Sequence, residues 1–306
     1  MNRFPIEPNT GALRLDRNEC ITPSIIDKLL KLVNIDSIDY TQYTSALDVI
    51  EKLSAVFDCT RSNIYVDNGS EQVLKALVQV VDCSEWVTTS PTFEMFPFYV
   101  SNIGKKIKNL HFTYTDKFSI NLNNTTANTG LYLVSPHNPT GYTVGNEDII
   151  ELCGMYKYVI LDQAYITPTQ KIDLKTLPTN LIVVRTFSKM GGLTGMRFGF
   201  CLTKNITIIN KLNLFRPMYL NSITIKIVST ILDNSNLLLE IENEFKEVKE
   251  LLEVKVVAQA GNFLLLNNIK EYKGYRLKKY IIDGKELYRM TLFDKETYLK
   301  INHISP

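Results

Sequence analysis

The chain has 306 residues, of which 45% are hydrophobic and 22% are charged, and its formal net charge is only +2. A chain of this length can bury a large core without cross-links, and the weak charge argues against nucleic acid or an anionic membrane surface as its main partner. Five scattered cysteines, three distant histidines and the lack of any apolar stretch of about 20 residues indicate a cytoplasmic protein with reduced thiols, no metal site and no membrane span.

The first clear element in chain order is a helix that begins near Gly69 and Ser70. Its apolar residues recur at helical spacing, and Ser70 is suited to cap its N-terminus. Four short apolar segments follow, and each is typical of a strand buried on both faces. They lie at residues 131–134, 158–161, 181–184 and 198–202. Since helical patterns separate these strands, the sequence predicts an α/β large domain with a mostly parallel sheet flanked by helices.

The pattern changes in the last third of the chain. A long helix is predicted over residues 236–254, and three strands follow it. The strands lie at residues 262–266, 280–282 and 288–293. A helix followed by strands indicates a smaller α+β domain. We place its boundary near Asp233, so that residues 35–232 form the large domain and residues 1–34 and 233–306 form the small one.

Polar residues follow three of the predicted strands directly. They form the segments Ser135-Pro-His-Asn-Pro-Thr-Gly141, Asp162-Gln-Ala-Tyr165 and Arg185-Thr-Phe-Ser-Lys189, the last of which continues to Arg197. In open parallel sheets, ligands bind outside the carboxyl ends of the strands. An amide, a carboxylate, a phenol, a lysine and an arginine can therefore meet in one cleft, and this set suits a flat, anionic cofactor that accepts electrons.

These segments resemble the signatures of the fold-type I pyridoxal-phosphate (PLP) enzymes, and most closely those of the class I/II aminotransferases in the histidinol-phosphate aminotransferase-like branch. The segments Pro91-Thr-Phe-Glu-Met-Phe96 and Tyr288-Arg-Met-Thr291 match the same family, and all five occur in its order. The resemblance covers residues 13–292 and implies PLP as the cofactor, amino-group transfer as the reaction and a seven-stranded sheet in the large domain. The small domain is shortened, because about one long helix is missing between residues 254 and 262.

The resemblance assigns roles at the cofactor ring. Lys189 would hold PLP as a Schiff base and then carry the proton between the substrate and the cofactor. Asp162 would pair with the ring nitrogen and keep it protonated. Tyr165 and Asn138 would hydrogen-bond the ring oxygen, and Phe93 would stack on the ring face.

A second group of residues would hold the cofactor phosphate through backbone N–H groups at a helix N-terminus, hydroxyl groups and a guanidinium. These residues are Gly69, Ser70, Glu71, Thr186, Ser188 and Arg197. By the same resemblance, Tyr40 would reach the phosphate from a neighbouring subunit. This contact implies a homodimer with shared active sites.

A third group is assigned to the substrate by its position in the family pattern. It consists of Arg289, Arg276, Asn138, Asn18 and Glu19. Arg289 would hold the substrate carboxylate through its planar guanidinium, and Arg276 precedes it by 13 residues. The chain departs from the family at Gln163, where glutamate is usual, and after Glu19, where the usual Asn-Pro is replaced. Both departures bear on the choice of substrate.

The resemblance therefore implies transfer of an amino group from an amino acid, most simply glutamate, to a small oxo substrate that can carry a phosphate. The partners would be these small molecules and a second copy of the chain. The alternative is a PLP-dependent decarboxylase of a phosphorylated hydroxy-amino acid, because relatives with this scaffold catalyse that reaction. A PLP-fold protein without catalysis is a third possibility, and the presence of Lys189, Asp162 and Arg197 argues against it. The identity of the amino acceptor stays open.

Overall fold

The computed structural model describes residues 13–19, 22–123, 125, 128–215, 220–252, 254–267 and 275–301. The helices of these residues are α1 Pro23–Leu32, α2 Leu47–Phe57, α3 Ser70–Val80, α4 Met95–Asn102, α5 Asn146–Met155, α6 Ile206–Phe215, α7 Ser222–Asp233, α8 Asn236–Leu251 and α9 Lys295–Ile301. Short 3-10 helices lie at Ile35–Ser37, Arg61–Asn63 and Thr194–Met196.

The strands follow the same numbering along the chain. They are β1 Leu13–Arg14, β2 Ile64–Asp67, β3 Glu85–Ser90, β4 Lys106–His111, β5 Thr113–Tyr114, β6 Phe118–Ser119, β7 Thr129–Val134, β8 Tyr158–Asp162, β9 Leu181–Thr186, β10 Gly199–Leu202, β11 Val256–Ala260, β12 Phe263–Asn267, β13 Tyr275–Arg276, β14 Lys278–Ile282 and β15 Lys285–Thr291. All the strands that the sequence predicts are found, with ends shifted by up to three residues.

The large sheet has seven strands in the order β2-β10-β9-β8-β7-β3-β4. Neighbouring strands are parallel except at β10, which is antiparallel to both β2 and β9. The predicted α/β class with a mostly parallel sheet is therefore confirmed. The sequence could not reveal the direction of β10, because a strand buried on both faces is apolar throughout whichever way it runs.

Helices cover both faces of this sheet. In β7, Leu131 and Leu133 belong to one buried cluster, whereas Tyr132 and Val134 belong to another. Successive side chains of a strand point to opposite faces, so β7 contributes to the core on each side. The first cluster includes residues of α1, α2, α5, α7 and α8, and the second includes residues of α3, α4 and α6.

The start of α3 differs from the prediction in one residue. Gly69 is the N-cap, and Ser70 is the first helical residue rather than the cap. Gly69 has φ +83, a conformation that costs residues with a Cβ atom about 1 kcal/mol or more. The glycine therefore allows the chain to turn from β2 into α3.

The C-terminal part forms a second, four-stranded antiparallel sheet in the order β11-β12-β15-β14. The N-terminal segment, residues 13–19, lies against this part of the chain. Its β1 forms a separate two-stranded parallel sheet with β13, and the Thr291 N–H of β15 donates to the Leu15 carbonyl at 2.8 Å. The predicted boundary at Asp233 coincides with the end of α7. The division into two domains stays a prediction. None of the helices in the described ranges is long and apolar enough to cross a membrane.

The turn between β11 and β12 lies directly on the large-sheet loop that contains Tyr165. A Cβ atom built at Gly261 would lie 2.4 Å from the Tyr165 carbonyl oxygen and 3.1 Å from its Cβ atom. The Tyr165 ring also meets Phe263 of β12 edge to face, with ring centroids 5.2 Å apart. The four-stranded sheet, called the small sheet below, is thus in van der Waals contact with a candidate site residue.

The close contact between the start of α3 and the large sheet can be tested by a substitution at Gly199. A Cβ atom at Gly199 would lie 2.0 Å from the Ser70 nitrogen and 2.4 Å from the Gly69 carbonyl carbon. We expect Gly199→Ala to lower the free energy of unfolding by about 1–3 kcal/mol, because backbone must move to admit the methyl group. Urea unfolding measures this change.

Gly154→Ala is the matched control, because this α5 residue has no atom within 4 Å of a built Cβ atom. It should be neutral or stabilise the protein by up to about 1 kcal/mol, as alanine does in helices. Equal effects of the two substitutions would contradict the close seating of α3.

Candidate active site

The three polar segments meet at the carboxyl ends of β7, β8 and β9. In the ladder, Val134 is the partner of Asp162, and Asp162 is the partner of Val184. Two hydrogen bonds join the segments beyond the strands, from the Ser135 N–H to the Asp162 carbonyl at 2.9 Å and from the Gln163 N–H to the Val184 carbonyl at 2.8 Å. This is the edge at which a parallel sheet binds its ligands.

Asp162 is a buried carboxylate at the centre of this edge. Its Oδ2 accepts a hydrogen bond from the Tyr132 hydroxyl at 2.8 Å, and its Oδ1 accepts one from the Ala164 N–H at 3.0 Å. Burial raises the pKa of Asp162 to about 6, whereas these two hydrogen bonds and the charge of Lys189 act to lower it. A carboxylate with this environment is suited to hold a positive charge, such as a protonated ring nitrogen.

Tyr132 is a site residue that no sequence motif indicates. Its side chain is fully buried inside β7, and its ring stacks on Phe96 at a centroid distance of 3.9 Å. A buried tyrosine hydroxyl usually needs a hydrogen-bond partner. A tyrosine within an otherwise aliphatic strand was therefore a signal that a polar group lies next to that strand.

Tyr165 and Asn138 form a pair from two of the loops. Asn138 Nδ2 donates to the Tyr165 hydroxyl oxygen at 2.5 Å. Burial raises the pKa of Tyr165, while the charge of Arg289 and the amides of Asn18 and Asn138 oppose the shift. The hydroxyl thus stays protonated at neutral pH and can donate its proton to an acceptor such as a ring oxygen.

Lys189 contacts the backbone of the N-terminal segment. Its Nζ donates to the Asn18 carbonyl at 2.8 Å and to the Arg17 carbonyl at 3.4 Å. Asn18 is buried and has φ 52, in the left-handed region. The structure therefore brings the backbone of Asn18 to Lys189, and the assignment of Asn18 to the substrate stays a prediction.

Hydroxyl groups and a guanidinium gather beside the start of α3. Thr186 Oγ1 donates to Ser188 Oγ at 3.0 Å, and Arg197 Nη1 donates to the same oxygen at 3.5 Å. A Cβ atom at position 69 would lie only 2.7 Å from Arg197 Nη2. Glycine at this position therefore leaves space for the guanidinium at a helix N-terminus, where anions bind well. This cradle fits the phosphate of PLP.

Three further residues assigned to the cofactor are Glu71, Phe93 and Tyr40. Glu71 lies in the first turn of α3, and its carboxylate accepts from the Tyr99 hydroxyl at 2.5 Å. Phe93 lies just before α4 and is 37% exposed. Tyr40 is 61% exposed, and its hydroxyl contacts none of the cradle residues within the described part of the chain. Its assigned role needs a second subunit and stays a prediction.

The Phe93 loop is tied to the Asn138 loop by a buried histidine. His137 Nε2 donates to the Pro91 carbonyl at 3.0 Å, and Nδ1 accepts from the Thr140 hydroxyl at 2.8 Å. Burial lowers the pKa of His137 to about 3, so the ring is neutral. The histidine therefore joins two candidate cofactor loops without adding charge to the site.

Arg289 brings the small sheet into the site. Its Nη1 donates to Asn138 Oδ1 at 3.1 Å and to the Tyr280 hydroxyl oxygen at 3.0 Å, and Nη2 donates to the Asp16 carbonyl. The Arg276 carbonyl accepts from the Leu15 N–H at 3.0 Å. Arg276 thus lies on the segment that borders the site.

Asn262 joins the other end of the N-terminal segment to the small sheet. Its Nδ2 donates to the Asn18 carbonyl at 3.2 Å and to the Glu19 carbonyl at 3.4 Å. Asn262 and Tyr280 were not singled out in the sequence, since Asn262 bonds residues 244 and 243 positions away and the contact of Tyr280 with Arg289 depends on how β14 pairs with β15. The assignment of Glu19 to the substrate stays a prediction.

The buried Asp162, the Tyr165–Asn138 pair, Lys189 and the phosphate cradle each match one part of a single cofactor, and they lie along one sheet edge. This geometry is that of a PLP-dependent enzyme. The model of the family "Aminotransferase class I and II" matches residues 8–303. The chain therefore belongs to the class I and II aminotransferases, and PLP is its cofactor.

Individual relatives agree with this family. The histidinol-phosphate aminotransferase of Pyrococcus furiosus is 30% identical over 287 residues, which are 89% of this chain and 83% of the relative. That of Caldanaerobacter subterraneus is 30% identical over 285 residues, which are 86% of this chain and 80% of the relative. The histidinol-phosphate aminotransferase-like character inferred from the sequence is thereby confirmed.

Solved structures share the fold. The histidinol-phosphate aminotransferase of Sinorhizobium meliloti, in complex with pyridoxal-5'-phosphate, has a TM-score of 0.75 at 18% identity and covers 97% of this chain and 93% of its own. The L-threonine-O-3-phosphate decarboxylase of Porphyromonas gingivalis has a TM-score of 0.71 at 18% identity and covers 94% and 99%. At these identities the likeness concerns the fold alone.

Asp162 makes stability depend on pH in a direction set by its raised pKa. Between the ordinary pKa of 3.8 and the folded value of about 6, the unfolded chain loses its proton first, so folding stability falls as pH rises. We expect Asp162→Asn to make the PLP-free protein up to about 3 kcal/mol more stable than wild type at pH 8. The two proteins should be equal in stability at pH 3.

Urea unfolding of the PLP-free proteins across this pH range measures the difference. Asp116→Asn, at an exposed aspartate, is the control and should follow the wild-type pH dependence. A difference between wild type and Asp162→Asn that does not change with pH would contradict the role of ionisation.

Proposed function

We propose that this aminotransferase takes the amino group of an amino acid, most simply glutamate, and transfers it to a small oxo substrate that can carry a phosphate. The observation that carries the proposal is the hydrogen-bonded chain from Arg289 through Asn138 to Tyr165. It connects a guanidinium suited to a carboxylate with the phenol proposed to bind the cofactor ring. A carboxylate on Arg289 would thus fix the substrate relative to the ring.

When bound, PLP supplies an electrophilic carbon and a ring that accepts electrons. The residues of the chain supply binding, orientation and proton transfer. Asp162, with its carboxylate held by Tyr132 and the Ala164 N–H, would keep the ring nitrogen protonated. Tyr165 would donate to the ring oxygen. Lys189 Nζ would take the proton from the substrate α-carbon and deliver it to the cofactor.

The cradle residues would provide anchorage rather than chemistry. The backbone N–H groups of Ser70 and Glu71 lie at the start of α3, whereas that of the N-cap Gly69 donates to the Asp67 carbonyl at 2.8 Å, and the side chains of Thr186, Ser188 and Arg197 lie beside them. Charge-assisted hydrogen bonds to a phosphate are roughly twice as strong as neutral ones. With Phe93 against its face, the ring would be held in one orientation.

The decarboxylase alternative is weaker. The likeness to L-threonine-O-3-phosphate decarboxylase concerns the fold. Loss of carbon dioxide removes the negative charge of the carboxylate, so an ion pair with Arg289 would stabilise the substrate more than the transition state and slow that step. A buried arginine at the carboxylate position therefore favours reactions that keep the carboxylate.

We also propose a homodimer in which Tyr40 of each subunit completes the phosphate site of the other. The exposure of Tyr40 in the single chain supports it. The small domain, residues 1–34 and 233–306, would close over the substrate, with Arg276 and Glu19 at its inner edge. A cytoplasmic location fits the free thiols of Cys59, Cys83, Cys153 and Cys201.

A half-reaction tests the proposed chemistry. Glutamate added to the PLP-loaded enzyme should change the absorbance of the cofactor and release one 2-oxoglutarate per active site. Lys189→Ala should lower the rate of this step by at least about a hundredfold, because the general base is lost. Release of carbon dioxide in place of an oxo acid would instead support the decarboxylase.

The shared site has its own test. We expect Tyr40→Phe to raise the dissociation constant of PLP about tenfold, since it removes one hydrogen bond to a charged group. Tyr43→Phe is the control, because Tyr43 is 86% exposed and is assigned no role. Cofactor titration measures both constants. A monomer in sedimentation equilibrium, or equal effects of the two substitutions, would contradict the proposal.

A further inference from the structure

Tyr280 is a polar residue of the site that the family pattern does not account for. It lies on β14, which is paired with β15, the strand of Arg289. Lys278 is the Cα partner of Arg289 in this ladder. Tyr280 is two residues further along, so its side chain lies on the same face as Arg289, at a diagonal position that long side chains can bridge.

The two side chains do meet. Arg289 Nη1 donates to the Tyr280 hydroxyl oxygen at 3.0 Å, and the guanidinium carbon lies 5.8 Å from the Tyr280 ring centroid. A guanidinium has no acceptor, so the phenol oxygen must accept. Burial raises the pKa of Tyr280 to about 12, although the charge of Arg289 opposes the shift. The phenol therefore stays neutral and keeps this role at any physiological pH.

Arg289 is held on several sides. Nη1 has two acceptors, Tyr280 and Asn138, and Nη2 has the Asp16 carbonyl. These acceptors come from three separate segments of the chain, so together they fix the plane of the guanidinium. Two parallel hydrogen bonds to a carboxylate require one orientation of that plane. Holding it beforehand reduces the entropy lost on binding.

We propose that Tyr280 is a positioning residue for the substrate carboxylate and that it acts through Arg289. The inference rests on the proposed role of Arg289 in the amino-transfer reaction. Without the phenol oxygen, Asn138 would be the only acceptor of Nη1 among the residues that the structure describes, and Asn138 also donates to Tyr165. The carboxylate would bind more weakly, while Lys189 and Asp162, which Tyr280 does not contact, would react as before once the substrate is bound.

The test follows the half-reaction of the PLP-loaded enzyme by cofactor absorbance at increasing glutamate concentration. We expect Tyr280→Phe to raise the half-saturating concentration about tenfold, the effect of one hydrogen bond to a charged group. The rate at saturation should change less than about twofold, as when uniform binding is lost. The ring that packs beside Leu265 and Leu287 is retained, so the fold should be kept.

Tyr298→Phe is the matched control. It removes a hydroxyl that donates at 3.1 Å to the carbonyl of Leu251, the last residue of α8, and it should behave as wild type. An equal rise in half-saturation for Tyr298→Phe and Tyr280→Phe, or no rise for Tyr280→Phe, would overturn the proposal.

A double-mutant cycle distinguishes positioning from a general packing role. Arg289→Lys removes the planar group on which Tyr280 is proposed to act. Added to Arg289→Lys, Tyr280→Phe should then change the half-saturating concentration by less than about twofold, whereas independent effects would multiply. Full multiplication would show that Tyr280 does not work through Arg289.

The amino-transfer proposal and the proposed role of Tyr280 can be contradicted by different results. Wild-type enzyme that gives no oxo acid from glutamate contradicts the amino-transfer proposal. Wild-type enzyme that reacts, alongside Tyr280→Phe with the same half-saturation, contradicts only the role of Tyr280. A titration with glutarate, a dicarboxylate without an amine, measures binding without turnover. Tyr280→Phe should weaken it about tenfold if the positioning role holds, and equal binding would overturn that role.

Discussion

Burial of the Asp162 carboxylate is the constraint on which the rest of the site depends. The sheet edge keeps this group out of water, and burial disfavours its charged form. Tyr132 and the Ala164 N–H satisfy its oxygens from within the sheet, and Lys189 adds a nearby positive charge. A group held in this state is ready for a cationic partner, because the cost of desolvation has already been met by folding.

The second organising feature is the N-terminal segment, which connects the two sheets. Arg289 of the small sheet donates to the carbonyl of Asp16, and Lys189 beside the large sheet donates to that of Asn18. Thr291 holds the same segment through its N–H to Leu15 and its hydroxyl oxygen, which accepts from the Asn18 N–H at 2.9 Å. The backbone carbonyls of Asp16 and Asn18 therefore connect the proposed cofactor lysine with the arginine proposed to bind the carboxylate.

Much of this arrangement could be predicted from the sequence, because the three polar loops each follow an apolar strand and the strands of a parallel sheet align their ends. Lys189, Asp162 and Asn138 were found on that basis. Other features depend on which segments pair. The direction of β10 follows from its neighbours in the sheet, the contact of Tyr280 with Arg289 follows from the pairing of β14 with β15, and the contacts of Asn262 join it to residues 244 and 243 positions away. The role proposed for Tyr40 requires a second chain, which no single-chain geometry contains.

The contact between Gly261 and the Tyr165 backbone has a consequence for how such enzymes can change. If the small domain closes over the substrate as proposed, exchanging that domain is one route to a new substrate preference. Here the turn of the small sheet is so close to the Tyr165 carbonyl that a methyl group would not fit. A transplanted small domain with any larger residue at that turn would displace Tyr165 itself. New specificities are therefore more accessible through side chains on the inner face of β14 and β15 than through replacement of the whole unit.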